Sequence, residues 1–408
     1  MVRIRASPAD EDNPGPETIH VCIRVRPALG RDKTSCVTIN DGRQINVQVS
    51  NPPSPTANEP GETDNRNTFA FDSVLGPDVD QATVYDGTCR GLVDQFFCGY
   101  NTSIMVYGQT GSGKTYTVMG EGGGVAQRAA DHLQQWLRRP DADQYDVDVQ
   151  VGFLEIYQEQ LIDLLDETAP VSPSAKRGPS KLRIREDPVK GVFVAGLIRR
   201  EVENAEDIIA VLREGSERRH VGSTQMNEQS SRSHSILNIV VHQRLVADPD
   251  GLQAKRSELN IVDLAGSERQ SATQAAGDRL KEGAKINTSL SALGLVIKSL
   301  VDGSSHVPFR NSALTRLLQN SLGGNARTLL IACVSPTTSC AAETLSTLRF
   351  AARAKLIQCK PRLFSDPKMV RIAQLEAEIA AFKEQLKNCR CQGGDVAAIY
   401  NKRCCSIM

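Results

Sequence analysis

The chain has 408 residues, enough for one large domain or two ordinary ones. Lysine plus arginine and aspartate plus glutamate balance at 48 each, so no net charge steers the protein to nucleic acid or to an acidic polymer, and such binding needs a local basic patch. No apolar run approaches the roughly 20 residues of a membrane helix. Residues 1–17 mix charge with proline and glycine, which excludes a secretory signal and favours a loose arm.

The chain contains 11 cysteines without the spacing of a zinc site. An odd number of cysteines in a large chain without a secretory signal favours reduced thiols in the cytoplasm. Cys389 and Cys391 form a close pair that could bind a metal ion. No second pair or histidine lies nearby, so free thiols are the stronger interpretation of this pair.

Apolar runs typical of buried strands alternate with helical patterns along most of the chain. This alternation predicts an α/β fold, with a central mixed β-sheet flanked by helices on both faces. Strands are predicted at 19–27, 102–107, 147–157, 235–246, 257–266 and 328–336. Helices are predicted at 81–97, 114–119, 204–218, 286–301, 312–320 and 341–355. The polar segments 51–67 and 167–180 have the composition of surface loops.

The character of the sequence changes after residue 355. Residues 356–368 contain two prolines and no helical period, which predicts an extended segment. Within 369–390, apolar residues alternate at spacings of three and four, the pattern of a coiled-coil seam. These residues are Ile372, Leu375, Ile379, Phe382 and Leu386. The run covers only about two heptads, so a single helix packed on the preceding domain is an equal alternative.

The clearest local motif is GQTGSGKT at 108–115, which matches G-x-x-x-x-G-K-[ST] and directly follows the apolar run 102–107. A strand, a glycine loop and a helix start form a phosphate cradle, in which backbone N–H groups surround the phosphates. Lys114 is expected to reach the β- and γ-phosphates, and the Thr115 hydroxyl to bind Mg²⁺. The predicted phosphate-binding residues are Gly108, Gln109, Thr110, Gly111, Ser112, Gly113, Lys114 and Thr115. A glycine-rich turn without a ligand is the weaker interpretation.

Two further segments indicate a nucleotide switch. NEQSSRSH at 227–234 places three serines and an arginine before a predicted strand, where hydroxyls can reach Mg²⁺ and its waters. NIVDLAGSE at 260–268 places Asp263 at the end of a buried strand and Gly266 three residues later. A glycine N–H at that place can bond a γ-phosphate only while the phosphate is present.

These three segments resemble those of the kinesin motor family. The resemblance runs from about residue 18 to 355. It includes RVRP (24–27), FLEIYQEQLIDLL (153–165), INTSLSALG (286–294), VPFRNSALTRLLQNSLGGN (307–325) and TLRFAARAK (347–355). It implies the kinesin form of the P-loop NTPase fold and ATP hydrolysis coupled to movement on microtubules, with ATP and Mg²⁺ as cofactors.

The resemblance also implies roles for individual residues. Arg24 and Pro27 would sandwich the adenine ring, with Tyr116 near it. Ser231 and Asp263 would hold the water shell of Mg²⁺ together with the threonine of the phosphate loop.

Around the γ-phosphate, the resemblance makes Gly266 the sensor, and it lets Arg232 and Glu268 close as a salt bridge in the hydrolysis-ready state. Glu268 and Ser230 are the candidates for ordering the attacking water and relaying its proton. No nucleophilic side chain is expected, because phosphoryl transfer asks the protein chiefly for positioning and charge neutralisation. An ordinary surface ion pair is the weaker interpretation of Arg232 and Glu268.

A basic patch is expected to face the acidic surface of tubulin, since electrostatic contacts favour fast association. Arg310 and Arg316 match family positions that meet the microtubule, and Lys298 is a further candidate. The secondary candidates form a basic stretch: Lys181, Arg183 and Arg185. For these three residues, charged side chains that only contact solvent are an equal alternative.

Three residues depart from the family pattern. Ala313 stands where a lysine is usual in the track-binding loop, which should weaken binding at raised salt. Gln229 replaces a frequent histidine. The segment after Lys355 resembles the neck linker of the heterotrimeric-kinesin type, but Phe364 stands where an asparagine latch is common, which puts linker docking in question.

The last four residues, Cys405 to Met408, satisfy the C-a-a-X pattern for farnesylation. Cys404, beside Lys402 and Arg403, offers the second signal that stable membrane anchoring needs. The alternative, held equally, is an unmodified tail or a boundary within a longer stalk.

The sequence thus predicts five parts: an arm (1–17), a motor domain (18–355), a neck linker (356–368), a neck helix or coil (369–390) and a tail (391–408). The predicted function is an ATP-driven, plus-end-directed microtubule motor in the cytoplasm, with a homo- or heterodimer through the coil and membrane attachment through Cys405 as further expectations. A non-motile, lipid-anchored microtubule tether is the rival function. A switch GTPase is disfavoured, because 24–27 and 227–234 belong to the motor pattern.

Overall fold

The computed structural model describes residues 15–28, 34–48, 67–167, 182–187, 191–224, 229–248, 254–268 and 278–363, with backbone alone for 220–224, 229–230 and 278–287. The described strands are β1 (Glu17–Thr18), β2 (His20–Val25), β3 (Val37–Asn40), β4 (Gln44–Val47), β5 (Thr68–Ala70), β6 (Ser73–Leu75), β7 (Asn101–Tyr107), β8 (Tyr145–Tyr157), β9 (Gln160–Asp163), β10 (Arg183–Asp187), β11 (Gly191–Ala195), β12 (Arg200–Glu201), β13 (His234–Leu245), β14 (Lys255–Asp263), β15 (Ala326–Val334) and β16 (Gln358–Cys359). The described α-helices are α1 (Gln81–Val84), α2 (Arg90–Phe97), α3 (Lys114–Met119), α4 (Val125–Leu137), α5 (Ala205–Thr224), α6 (Gln229–Arg232), α7 (Asp278–Val301), α8 (Ala313–Leu317) and α9 (Ala341–Ala354).

A mixed sheet forms the centre of the molecule. Its strand order is β12-β8-β13-β14-β7-β15-β2-β6, and β9 pairs with β8 as a hairpin. From β14 to β6 the neighbouring strands are parallel, whereas β12, β8, β13 and β14 pair antiparallel. The prediction of a central mixed sheet is therefore confirmed.

Helices cover both faces of this sheet, because its central strands are buried on both sides. In β7, Ile104 and Val106 belong to one hydrophobic core and Met105 and Tyr107 to the other, as the two-residue period of a strand requires. Helices α7, α8 and α9 pack on the face of Met105. Helices α2, α4 and α5 pack on the face of Ile104. Each large apolar side chain fully buried in these layers stabilises the fold by about 1.5–3 kcal/mol.

The predicted strands and helices are found, with shifted ends. The predicted helix 81–97 is α1 and α2 joined by a π-helical turn, Tyr85–Cys89. The predicted helix 312–320 is shorter, because Ser312 caps the N-terminus of α8 by accepting the Thr315 N–H and regular helix ends at Leu317. The predictions for 51–66 and 168–180 lie outside the described residues.

The N-terminal strand and the segment after α9 meet on the edge of the domain. β1 pairs with β16 in antiparallel register, the Ile19 N–H donates to the Ile357 carbonyl (3.1 Å), and the Lys360 N–H donates to the Gly324 carbonyl (2.8 Å). An isolated bridge joins Tyr100 to Leu363. The described part of the predicted extended segment is thus extended and bound to the domain.

Predictions for residues beyond 363 lie outside the described residues. They concern Phe364, the helix or coil at 369–390, the pair Cys389 and Cys391, and the tail with Cys405. Within the part of the chain that the structure describes, no helix is both long and apolar enough to span a bilayer. In the same residues, no cluster of three histidine, cysteine or acidic side chains is arranged to hold a metal ion.

Candidate functional site

The predicted phosphate loop connects β7 to α3 in a tight curve. At Gly108 an added Cβ would lie 2.2 Å from the Cys333 carbonyl oxygen, so only glycine fits against β15. Gly113, with a φ of 100°, caps α3 in the left-handed region that glycine favours. The loop therefore turns its backbone directly into the N-terminus of a helix, the arrangement that binds phosphate.

Lys114 lies inside the loop rather than in solvent. It is 7% exposed, and its Nζ donates to the Gln109 carbonyl at 2.9 Å. Burial lowers the pKa of Lys114, while the Asp263 and Glu268 charges oppose that shift. A buried ammonium with one backbone acceptor is well placed to bind a phosphate oxygen.

Thr115 and Asp263, two of the three residues predicted to hold Mg²⁺ with Ser231, lie in contact. The Thr115 hydroxyl donates to Asp263 Oδ2 at 2.8 Å. Asp263 is 1% exposed, and its Oδ1 has no hydrogen-bond partner among the described residues. A buried carboxylate oxygen without a partner is costly, and hard oxygen donors are the ligands Mg²⁺ prefers. These residues therefore fit Mg²⁺ at the mouth of the phosphate loop.

The three predicted segments meet through their backbones. The Gly266 N–H donates to the Ser231 carbonyl at 2.8 Å, and the Ser267 N–H donates to the Gly108 carbonyl at 3.1 Å. The turn after β14 is thus bonded to the phosphate loop on one side and to α6 on the other. A γ-phosphate that takes the Gly266 N–H would have to displace the Ser231 carbonyl.

Glu268 shows where negative charge binds in this loop. Its carboxylate accepts the Thr110 N–H at 2.8 Å and also the Thr110 hydroxyl. An added Cβ at Gly266 would lie 2.2 Å from Thr110 Oγ1 and 2.4 Å from Glu268 Oε2, so a side chain there would push these two side chains from their present contact. The Glu268 carboxylate therefore accepts the Thr110 N–H, a backbone donor for which a phosphate would compete.

Two of the predicted adenine residues, Arg24 and Tyr116, meet at α3. Arg24 is buried, and its guanidinium donates to Gln81 Oε1 (2.7 Å) and Thr117 Oγ1 (2.9 Å). The Cζ atom of Arg24 lies 5.4 Å from the centroid of the Tyr116 ring. Tyr116 is 51% exposed, so its ring is accessible to a base. Pro27 is exposed at the end of β2. Gln81, which the sequence motifs did not indicate, holds Arg24 in place.

A second residue missed by the motifs is Arg219 of α5. Arg219 is 5% exposed, and its guanidinium lies 3.3 Å from Asp263 Oδ2 and 3.6 Å from Glu155 Oε1. It also donates to the Ser233 carbonyl (3.1 Å) and to Ser235 Oγ (3.1 Å). Arg219 therefore orients the Asp263 carboxylate and fixes the start of the strand that follows α6.

The side chain of Ser230 lies outside the described ones. Ser231 and Arg232 lie at the end of α6, where the Ser231 carbonyl is the group that meets Gly266. The catalytic roles of Ser230, Ser231, Arg232 and Glu268 stay predictions.

The candidate track residues lie around α7 and α8. Lys298 is exposed in the last turn of α7, Arg310 is exposed in the 3₁₀ turn Phe309–Asn311, and Arg316 is half-buried in α8. Ala313 begins α8, and its N–H donates to Glu159 Oε2 at 2.6 Å. Arg183 and Arg185 are exposed on β10, and Lys181 lies outside the described residues.

The family model for the kinesin motor domain matches residues 24–357. The chain belongs to the kinesin motor domain family. It is 42% identical to the kinesin-like protein klp-20 of Caenorhabditis elegans over 383 residues, which is 91% of this chain and 55% of that protein. It is 39% identical to the chromosome-associated kinesin KIF4 of Xenopus laevis over 378 residues, which is 88% of this chain and 29% of KIF4.

Solved kinesin structures share the fold. A fast kinesin superposes with a TM-score of 0.73 at 37% identity, covering 86% of this chain and 94% of that one. A KIF14 dimer in complex with a microtubule superposes with a TM-score of 0.74 at 36% identity, covering 86% and 97%. The predicted kinesin form of the P-loop fold is confirmed. The kinesin chain described here spans about half of klp-20 and under a third of KIF4.

Proposed function

We propose that this protein is a microtubule motor that hydrolyses ATP to ADP and phosphate, with ATP and Mg²⁺ as its cofactors. Two similar structures support the proposal. The fast kinesin is described with its ATPase mechanism and its interactions with microtubules. The KIF14 dimer is described with AMP-PNP in complex with a microtubule. Movement towards plus ends is favoured by the neck, which follows the motor domain. Its place of action is the microtubule cytoskeleton.

The observation that carries the proposal is the contact among three separated segments at one phosphate-binding loop. Gly266 bonds to the Ser231 carbonyl and Ser267 bonds to the Gly108 carbonyl. Binding or loss of a terminal phosphate beside Gly108 therefore changes the bonds of both other segments. Coupling of this kind is what a nucleotide switch needs.

The site supplies positioning and charge rather than a nucleophile, as phosphoryl transfer requires. Thr115 and Asp263, with Ser231, would hold Mg²⁺, which would supply positive charge to the phosphates beside that of Lys114. Glu268 and the hydroxyl of Ser230 order the attacking water.

A phosphate that accepts the Thr110 N–H releases the Glu268 carboxylate from that donor. Glu268 then forms an ion pair with Arg232, which closes the site. Gly266 then donates to the γ-phosphate. Arg24, Pro27 and Tyr116 hold the adenine.

The mechanical output is docking of the neck linker. Burial of Ile357 and Cys359 in the core, together with the pairing of β1 with β16, supports a docking path along the domain edge. Lys298, Arg310 and Arg316 form the track contact. We assign the motor domain to 18–355 and the neck linker to 356–368.

Two features of the C-terminal region are proposed from the sequence alone. The helix or coil at 369–390 would join two chains, and farnesylation of Cys405 would attach them to a membrane. Size-exclusion chromatography with light scattering tests the first. Mass spectrometry of the C-terminal peptide from cells tests the second, because an unmodified Cys405 excludes it.

A gliding assay on the full chain, with a truncation that lacks 356–408, tests the function. We expect ATP to support gliding, GTP to support it poorly, and Lys114→Ala to abolish both nucleotide binding and gliding. ATP turnover that rises with microtubule concentration, while microtubules do not glide over the coated surface, would favour the non-motile tether. Equal use of GTP would exclude the assigned nucleotide.

A further inference from the structure

His234 joins the turn after β14 to helix α7. It is the first residue of β13 and is 2% exposed. Its Nδ1 accepts the Ala265 N–H at 2.9 Å, and its Nε2 lies 2.8 Å from the hydroxyl of Ser289, which is 3% exposed. One imidazole thus spans from the turn at 264–266 to helix α7.

The direction of both hydrogen bonds follows from the Ala265 contact. A backbone N–H can only donate, so Nδ1 of His234 is an acceptor and carries no proton. Burial, reinforced by the charges of Arg219 and Lys114, lowers the pKa of His234 to about 3 and keeps the ring neutral. The ring proton is therefore on Nε2, which donates to Ser289 Oγ.

Each end of this bridge is connected to a functional element. Ala265 directly precedes Gly266, whose N–H donates to the Ser231 carbonyl. On the other side, α7 packs into the same core as α8 through Leu293, Val296, Ile297, Leu314 and Leu318. A shift of the turn must either carry the imidazole and α7 with it or leave a buried donor without a partner, which is costly.

We propose that His234 is a positioning residue that transmits the state of the phosphate-sensing turn to helix α7 by holding Ser289. The inference rests on the proposed function, since it concerns how nucleotide state reaches the face that carries Lys298. When a terminal phosphate takes the Gly266 N–H from Ser231, the turn moves and the imidazole moves Ser289. His234 acts through its position, and no proton transfer in the reaction is assigned to its ring.

The test uses Ser289→Ala in the full chain, which removes the far end of the bridge and keeps the buried ring. The quantity measured is the ratio of the microtubule Kd in ADP to that in AMP-PNP. We expect this ratio to fall about 5- to 10-fold relative to the natural chain, as loss of one buried coupling bond allows. Affinity for a fluorescent ADP analogue without microtubules should not change, because Ser289 lies outside the nucleotide contacts.

Two further variants separate coupling from general damage to α7. Ser291→Ala makes the same change at an exposed position of the same helix and should leave the ratio intact. Ser289→Thr keeps the hydroxyl acceptor and should restore most of the ratio.

An unchanged ratio in Ser289→Ala, or an equal loss in Ser289→Thr, would overturn the inference. If the microtubule Kd of the natural chain were the same in ADP and in AMP-PNP, the proposed function would be overturned, and this inference with it.

Discussion

Arg219 holds two buried carboxylates, and its removal should destabilise the fold strongly. Glu155 and Asp263 are 2% and 1% exposed, and the Arg219 guanidinium lies within 4 Å of both. Arg219→Leu leaves these charges buried without that cation. Breaking a buried ion pair from one side costs about 3–5 kcal/mol. We expect a loss of that size in the free energy of unfolding.

Urea unfolding followed by the fluorescence of Trp136, the one tryptophan of the chain, measures this loss. Trp136 stacks on Phe97 with ring centroids 4.8 Å apart, so its emission reports on the packed α2–α4 layer. Glu155→Gln in the Arg219→Leu background removes one buried charge and should recover part of the stability. A loss below about 1 kcal/mol in the single variant, the range of an exposed pair, would refute the assigned role. So would a double variant no more stable than the single one.

Gly266→Ala should lower ATP turnover about 100-fold, because its Cβ would lie 2.2 Å from Thr110 Oγ1 and would displace the side chains of Thr110 and Glu268. Gln158→Asn should raise the free energy of unfolding by about 0.5–1 kcal/mol in the same urea assay, since Gln158 has a φ of 50° in a two-residue hairpin turn. Because its pKa is lowered to about 3, His234 stays neutral in the folded protein down to about pH 4. In the unfolded chain the same histidine binds a proton below about pH 6.5. The free energy of unfolding should therefore fall by about 1 kcal/mol per pH unit from pH 6 to 4.

Each of these has an outcome that would contradict it. Gly266→Ala with turnover near that of the natural chain would mean that the turn adapts without cost. Gln158→Asn that lowers stability would show that the turn is not strained. The pH slope is judged against His234→Gln, and equal slopes in both proteins would show that His234 titrates normally.

The elements predicted from the sequence are those with long, regular patterns. The phosphate loop lies between β7 and α3 as expected, since strand, glycines and helix start are adjacent in the chain. Helix α4 was missed although Val125, Ala129 and Leu133 show its four-residue spacing. The hairpin β10–β11 and the small sheet of β3, β4 and β5 were missed because their strands are three to five residues long.

The site was predictable where its residues fall in one motif. Thr115 and Asp263, which the sequence assigned to one magnesium site, lie together, since the Thr115 hydroxyl donates to Asp263 Oδ2. The metal site itself stays a prediction. Arg219 was not predictable, because it reaches Asp263 only through the packing of α5 on the sheet. His234 belongs to the motif 227–234, yet its partner Ser289 lies 55 residues further along the chain. No sequence pattern records such a contact.

We propose that a terminal phosphate at the 108–115 loop is coupled, through 231–232 and 263–268, to a tubulin-facing surface. ATP turnover by the purified chain, measured at fixed low salt over a series of polymerised tubulin concentrations, tests it most directly. We expect turnover to rise with tubulin to a plateau, and Lys114→Ala to remove it. A rate that stays the same with and without microtubules would contradict the claim.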